Sequence, residues 1–186
     1  MSVHSSAVET LADWCAPDPA QDALRHAVLA FLLGRPDGCR RSCVPGHVTA
    51  SALVMSQDGE VLLTLHPRFG RWLQLGGHCE DGDADILAAA LREATEESGI
   101  GGLHIDTELA AIHVHPVTCS LGVPTRHLDL QFIAHAPAGA QYVVSDESVD
   151  LRWFEPDALP PDGDAGLRHL VAVATRRWSS GSRSRG

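Results

Sequence analysis

The chain has 186 residues, 44% apolar and 20% charged, which fits one globular unit with additions and enough interior to fold without disulfide or metal staples. Its formal net charge is −10 and all 14 basic residues are arginine, so long nucleic acids are excluded as expected partners, the one dense basic stretch being Arg176 to Arg185. No apolar run approaches the ~18 residues that cross a bilayer, and Met1 to Leu11 lacks the cationic start and apolar stretch of a secretory leader, so no membrane span is predicted and a cytoplasmic location is expected.

In chain order, a short helix is expected from about Ser6 to Trp14. A second follows over Pro19 to Leu33: Asp18 stands at the N-cap, Pro19 at the first helical position, Leu24, Val28, Leu29 and Leu32 recur at helical spacing, and Gly34 ends it. Arg35 to Pro45 reads as a connector, and the core domain begins near Gly46. His47 to Met55 and Val61 to His66 are strands joined at Ser56 to Gly59, whose Asp-Gly pair signals a hairpin. A strand over Trp72 to Leu75 leads into Gly76-Gly77, and Asp85 to Ser98 is a helix closed by Gly99. Strand regions over His104 to Val117, His127 to His135 and Val149 to Phe154 precede a last helix from Ala165 to Trp178. These bounds divide the chain into an N-terminal helical extension and connector (1–45), a core domain (46–178) and a disordered tail (179–186). Strands interleaved with helices indicate an α/β sandwich.

The five cysteines, Cys15, Cys39, Cys43, Cys79 and Cys119, are odd in number and scattered, which suits reduced thiols. Cys39, Cys43 and His47 do not match a common zinc spacing and are read as ordinary side chains.

The densest chemical signal is Arg92-Glu93-Ala94-Thr95-Glu96-Glu97-Ser98-Gly99-Ile100, reached from Gly77 through the acidic turn Glu80-Asp81-Gly82-Asp83. At about 100° per residue, Glu93, Glu96 and Glu97 fall on one helix face, beside an apolar face of Leu87, Ala90, Leu91 and Ala94. A solvated acidic surface is the plain alternative. Position argues against it, because the carboxylates sit at the C-terminal end of the helix, where the macrodipole disfavours negative charge. A bound cation would offset that cost, and oxygen-only ligands suit Mg²⁺ or Mn²⁺.

This segment resembles the Nudix box, whose signature is Gly, five residues, Glu, seven residues, Arg-Glu, an apolar residue, any residue, Glu-Glu, any residue, Gly and an apolar residue. Arg92 to Ile100 follows the second half, with Ala94 as a small apolar substitute. The first half departs twice: Asp83 stands where Glu is expected after Gly77, and eight residues separate it from Arg92. Glu80 and Asp85 are the substitutes if Asp83 does not act. His66 to His78 also resembles a Nudix subfamily in which an Arg/Trp loop precedes Gly-Gly-His.

The resemblance implies a Nudix-type α/β/α sandwich with a mixed β-sheet and, in this chain, an N-terminal helical extension. It implies an Mg²⁺-dependent hydrolase (Mn²⁺ as the substitute ion) that cleaves a diphosphate linkage in a small molecule, a nucleoside diphosphate derivative or nucleoside triphosphate. Glu93, Glu96, Glu97 and Asp83 are then metal ligands, Arg92 orients a glutamate, and Glu147 is the candidate general base. Arg68, Arg71, Trp72, Gly77 and His78 are the substrate-binding candidates, with Arg68 and Arg71 for phosphate and Phe69 or Trp72 for stacking; a surface Arg and a core Trp are the plain alternative. His113 and His115 share one strand face, and His127, Asp129 and Gln131 share another, so they line a pocket, hold a second metal or form a solvated sheet face. Two other functions stay open: a non-catalytic Nudix-like nucleotide sensor, which would not need all three carboxylates, and an isoprenoid diphosphate isomerase, for which Cys79 is a poor counterpart of the required Cys. The N-terminal helices are left three roles: docking on the core, capping the substrate or forming a homodimer interface.

Overall fold

A computed structural model describes residues 1–118, 122–144 and 148–183. Helices α1 (Val3–Asp13) and α2 (Pro19–Gly34) come first. The strands β1 (His47–Met55), β2 (Val61–His66), β3 (Arg71–Leu73) and β4 (Leu75–His78) lead into α3 (Ile86–Ser98). Then come β5 (His104–Ile105), β6 (Ala111–Thr118), β7 (Pro124–His135), β8 (Asp150–Phe154) and α4 (Ala165–Arg183). All eight strands join one mixed sheet, with α3 on one face and α4 on the other, the expected α/β/α sandwich.

The centre of the sheet is the parallel pairing of β1 with β7, in register from His47 opposite His127 to Met55 opposite His135. β1 is buried at every position, as expected of a strand covered on both faces. Val48, Ala50, Leu130 and Phe132 pack under α1, α2 and α3, whereas Leu53, Met55, Leu63 and Ile133 pack under α4. A third cluster, including Ala52, Val54, Leu75, Leu151 and Ile100, fills the space beside Ala94 of α3.

The N-terminal helices share this core. Ala7, Leu11, Trp14, Val28 and Leu32 are buried in the same cluster as Val48 and Ile86. Two side chains then complete backbone valences that the core domain leaves unmet. Ser6 Oγ accepts the Ile86 amide at 3.0 Å, a first-turn donor of α3 with no partner within its helix. Gln21 bonds the outer edge of β6 twice: its Oε1 accepts the Ile112 amide at 2.7 Å and its Nε2 donates to the Ile112 carbonyl at 3.1 Å. An edge strand is thereby covered by one amide side chain.

Several boundaries differ from expectation. α1 starts at Val3 because Ser2 and Ser5 form a reciprocal capping box. The strand expected over Trp72 to Leu75 breaks at Gln74 into β3 and β4, and Gln74 turns its amide to Asp129. The region from His104 to Val117 is two strands, since the chain leaves the sheet between the bonds Asp106 N to Ile133 O and Ala110 N to Gln131 O. α4 continues to Arg183 through part of the expected disordered tail, with Ser179 and Ser180 hydroxyls bonded back to Thr175 and Arg176 carbonyls. Cys119 and Glu147 lie outside the described residues. Among the described residues, no helix is long and apolar enough to cross a membrane.

Gln21→Leu keeps the volume and removes both bonds to Ile112, leaving a buried amide and carbonyl unmet. The expected loss is about 1–3 kcal/mol, read as a lower urea midpoint. An unchanged midpoint would show that the α2 contact adds nothing to stability.

Candidate active site

The acidic segment owes its geometry to local rules. Asp85 caps α3 by accepting the Ala88 amide at 2.8 Å, and Gly99 closes the helix in the left-handed conformation. Between these ends, Arg92 lies on the face toward the β4 strand and the acidic turn. Its guanidinium holds Asp83 with two bonds, Nε to Oδ1 at 2.9 Å and Nη2 to Oδ2 at 3.1 Å. Nη1 reaches Glu93 Oε1 at 3.1 Å and Glu96 Oε2 at 3.0 Å, and Nη2 also reaches the His78 carbonyl at 3.0 Å. One cation thus gathers three carboxylates and the end of β4. Asp83 accepts the Glu80 amide as well, at 2.8 Å. Burial alone would raise the Asp83 carboxyl, but the bonds and charge of Arg92 and the Glu80 amide hold it below the ordinary carboxylate range. The bond to Asp83 is likewise the largest of the influences that raise the Arg92 guanidinium above its usual value.

The remaining carboxylates are placed by the glycine pair. Glu97 is buried, and its Oε2 accepts the Gly76 amide at 3.1 Å. Gly76 adopts φ +156°, and a Cβ there would lie 2.5 Å from Ser51 Cα. At Gly77 a Cβ would lie 2.7 Å from the Glu93 carboxylate. The glycines therefore let β4 press against β1 on one side and let Glu93 lie on the backbone on the other. Glu96 is the most open of the acids, with 58% of its side chain exposed.

These groups stand at one end of a cavity of about 470 Å³. Its floor is a polar ladder on the sheet. Thr49 and Ser51 of β1 stand beside Asp129 of β7, and the Asp129 carboxylate, though buried, accepts from Thr49 Oγ1 (2.9 Å), Ser51 Oγ (2.8 Å), Gln74 Nε2 (3.1 Å) and Gln131 Nε2 (3.0 Å). His115 of β6 pairs with His127 of β7 one rung along. His47, His78 and His127 pack ring to ring, and burial, first among the causes, depresses all three; His78 falls to about 4 and His127 to about 3, so each is neutral near pH 7. Burial also raises the thiols of Cys39, to about 12, Cys43 and Cys79, which leaves them protonated.

Of the expected substrate-binding residues, Arg68, Gly77 and His78 line this cavity, as does Phe69, which packs on His66 with centroids 4.6 Å apart. Arg68 is held by the Thr118 carbonyl at 3.2 Å. Trp72 packs against the apolar cluster under α4, edge-on to Phe154 at 4.9 Å with Arg152 over its ring, and Arg71 is exposed on the edge strand β3. Neither Arg71 nor Trp72 lines the cavity. His113 packs against Gly166 of α4 and does not line the cavity, although its ring centroid stands 5.2 Å from that of His115, which does. Arg41, Thr49, Ser51 and Gln74, none of them among the expected site residues, also line the cavity; the sequence signal for Thr49 and Ser51 is two hydroxyls at alternate positions of an otherwise apolar strand.

A family model described as the NUDIX domain matches residues 45–173. No curated protein sequence matches the chain. Among solved structures, the Ap4A hydrolase of C. elegans superposes with a TM-score of 0.58 at 21% identity, covering 72% of this chain and 98% of that one. A MutT protein from Methanosarcina mazei gives 0.55 at 20% identity, covering 73% and 96%. A UDP-X diphosphatase gives 0.55 at 14% identity and covers 97% of both chains. At these identities the likeness is one of fold.

Arg92→Gln should strand the Asp83 carboxylate and lower stability by about 1–3 kcal/mol at neutral pH. Because Asp83 is depressed in the folded state, its contribution is present above the ordinary carboxylate value and is lost as pH falls through the folded one. Denaturation curves should therefore separate wild type from variant at pH 7 and bring them together on acidification. A gap that persists at pH 2 would place the effect elsewhere.

Proposed function

We propose that this chain, which belongs to the Nudix family of hydrolases, cleaves the diphosphate linkage of a nucleoside diphosphate derivative or nucleoside triphosphate with Mg²⁺ as its cofactor. The carrying observation is the gathering of Glu93, Glu96 and Glu97 by Arg92 and the Gly76 amide at one end of the cavity. The donor set fits a hard divalent ion. It is oxygen only, and Glu93 occupies the space that a Cβ at Gly77 would fill. Mg²⁺, when bound by Glu93, Glu96 and Glu97, neutralises charge on the diphosphate oxygens. Mn²⁺ suits the same ligands.

The protein's own groups have separable tasks. Arg92 holds the glutamates in one geometry, and Asp83, with both oxygens bonded to Arg92, serves as its anchor more readily than as a metal ligand. Arg68 on the cavity wall binds phosphate oxygens, and Phe69 beside His66 offers a stacking face for a base. Asp129, fixed by Thr49 and Ser51 of β1, Gln131 of β7 and Gln74, presents a rigid acceptor to a substrate hydroxyl or amine. Glu147 remains the proposed proton acceptor for the attacking water. The near end-to-end likeness to a UDP-X diphosphatase supports a nucleotide joined to a second group.

The experiment is hydrolysis of a panel of nucleoside triphosphates, nucleotide sugars and dinucleoside polyphosphates with Mg²⁺, followed by release of phosphate, pyrophosphate or monophosphate. Turnover of one class is expected, with EDTA abolishing it and Glu97→Gln lowering kcat by at least 10²-fold, in the range that charge stabilisation supplies. Binding without turnover would shift the function to that of a nucleotide sensor. Gly77→Ala should also cut turnover at least tenfold with a modest change in Tm, because the added methyl displaces Glu93; full activity would sink the assignment of Glu93.

A further inference from the structure

We infer that His47, His78 and His127 form a second metal site, selective for a nitrogen-preferring divalent cation of the Zn²⁺ type, in the wall of the same cavity. The three residues are far apart in the chain and meet only through the sheet: His47 begins β1, His127 stands opposite it in β7, and His78 ends β4 beside β1. One ligand nitrogen from each lies within 4.8 Å of the others, and among the described residues no other trio of His, Cys, Asp or Glu ligand atoms closes to that degree.

The ring arrangement matches what a tetrahedral ion needs. Centroids stand 5.1 Å (His47 to His78), 5.0 Å (His47 to His127) and 5.0 Å (His78 to His127) apart, a nearly equilateral triangle. With metal to nitrogen at about 2.0–2.1 Å and tetrahedral angles, ring centroids lie roughly 5 Å apart. Little motion of the backbone is required.

Two ring nitrogens of the trio are buried without a hydrogen-bond partner, as ligand atoms awaiting an ion would be. His47 is 1% exposed, and its Nε2 is buried with no hydrogen-bond partner, as is Nε2 of His127. His47 Nδ1 faces the Cys43 carbonyl at 3.3 Å. A carbonyl can only accept, so the hydrogen sits on Nδ1 and the lone pair on Nε2, the pattern that a backbone carbonyl imposes on a metal-binding imidazole. Arg41 is the competitor: its Nη2 donates to His78 Nδ1 at 2.9 Å. Whichever nitrogen of His78 ligates, the guanidinium must withdraw from Nδ1, and Arg41 is exposed enough to swing aside.

Imidazole suits Zn²⁺, Co²⁺, Ni²⁺ and Cu²⁺, whereas Mg²⁺ prefers the oxygen set of Glu93, Glu96 and Glu97. His78 and His127 line the cavity and His47 lies behind them, so the fourth coordination position opens toward the space where substrate would lie. The site stands whether or not the chain hydrolyses diphosphates.

The test is titration of the full chain, stripped of metal, with Co²⁺ in excess Mg²⁺, followed by visible absorption. One equivalent with the intense bands of four-coordinate cobalt is expected, displaced by Zn²⁺. Glu97→Gln should leave the spectrum unchanged. His127→Gln and His78→Gln, each checked for folding by circular dichroism, should weaken Co²⁺ binding at least tenfold and remove the bands. Absence of the bands in wild type, their survival in both His variants, or their loss in Glu97→Gln would each overturn the site.

Discussion

The in-register parallel pairing of β1 with β7 is the constraint on which the site depends. Side chains alternate along a strand, so a slip of one residue would exchange every inward group for an outward one. With His47 opposite His127, Thr49 opposite Asp129 and Ser51 opposite Gln131, a polar ladder forms on one face. The same register sends Val48, Ala50, Leu130 and Phe132 into the core under α3. Burial of that apolar set enforces the register, at roughly 1.5–3 kcal/mol for each large side chain. The polar groups of the cavity are held in line by residues that never touch it.

The acidic helix solves a different problem. Carboxylates crowded into the last turns of a helix repel one another and oppose its dipole. Arg92 relieves this by contacting Asp83, Glu93 and Glu96 together. Its third role, the bond to the His78 carbonyl, ties the helix to β4. Charge balance and geometry are therefore served by one side chain, and the glycine pair supplies the close approach.

What the sequence reveals follows from the range of each interaction. The run Arg92 to Ile100, the Asp18-Pro19 helix start and the Asp58-Gly59 hairpin depend on neighbours within a few residues and are legible directly. The α/β/α layering follows from them. The direction in which β3 faces is not legible: Trp72 turns to Phe154 because β8 lies beside β2, a pairing between segments far apart in the chain. The same holds for the imidazole trio, whose members are read separately as a strand start, a residue of the glycine loop and a sheet residue. His47 in particular, read with Cys39 and Cys43 as an ordinary side chain, turns its ring to two other histidines. The eighth residue between Asp83 and Arg92 is absorbed in the turn, and Asp83 still reaches the guanidinium.

The two side-chain bonds from the N-terminal helices give particular backbone amides an unusual status. Ile86 and Ile112 donate to Ser6 and Gln21, so their protection from deuterium exchange is governed by undocking of the extension and not by rupture of the sheet. Neighbouring amides in α3 and β6 follow the opening of their own elements. Residue-resolved exchange can thus separate a detached extension from a locally frayed core, and it can do so at the first turn of the helix that carries the glutamates.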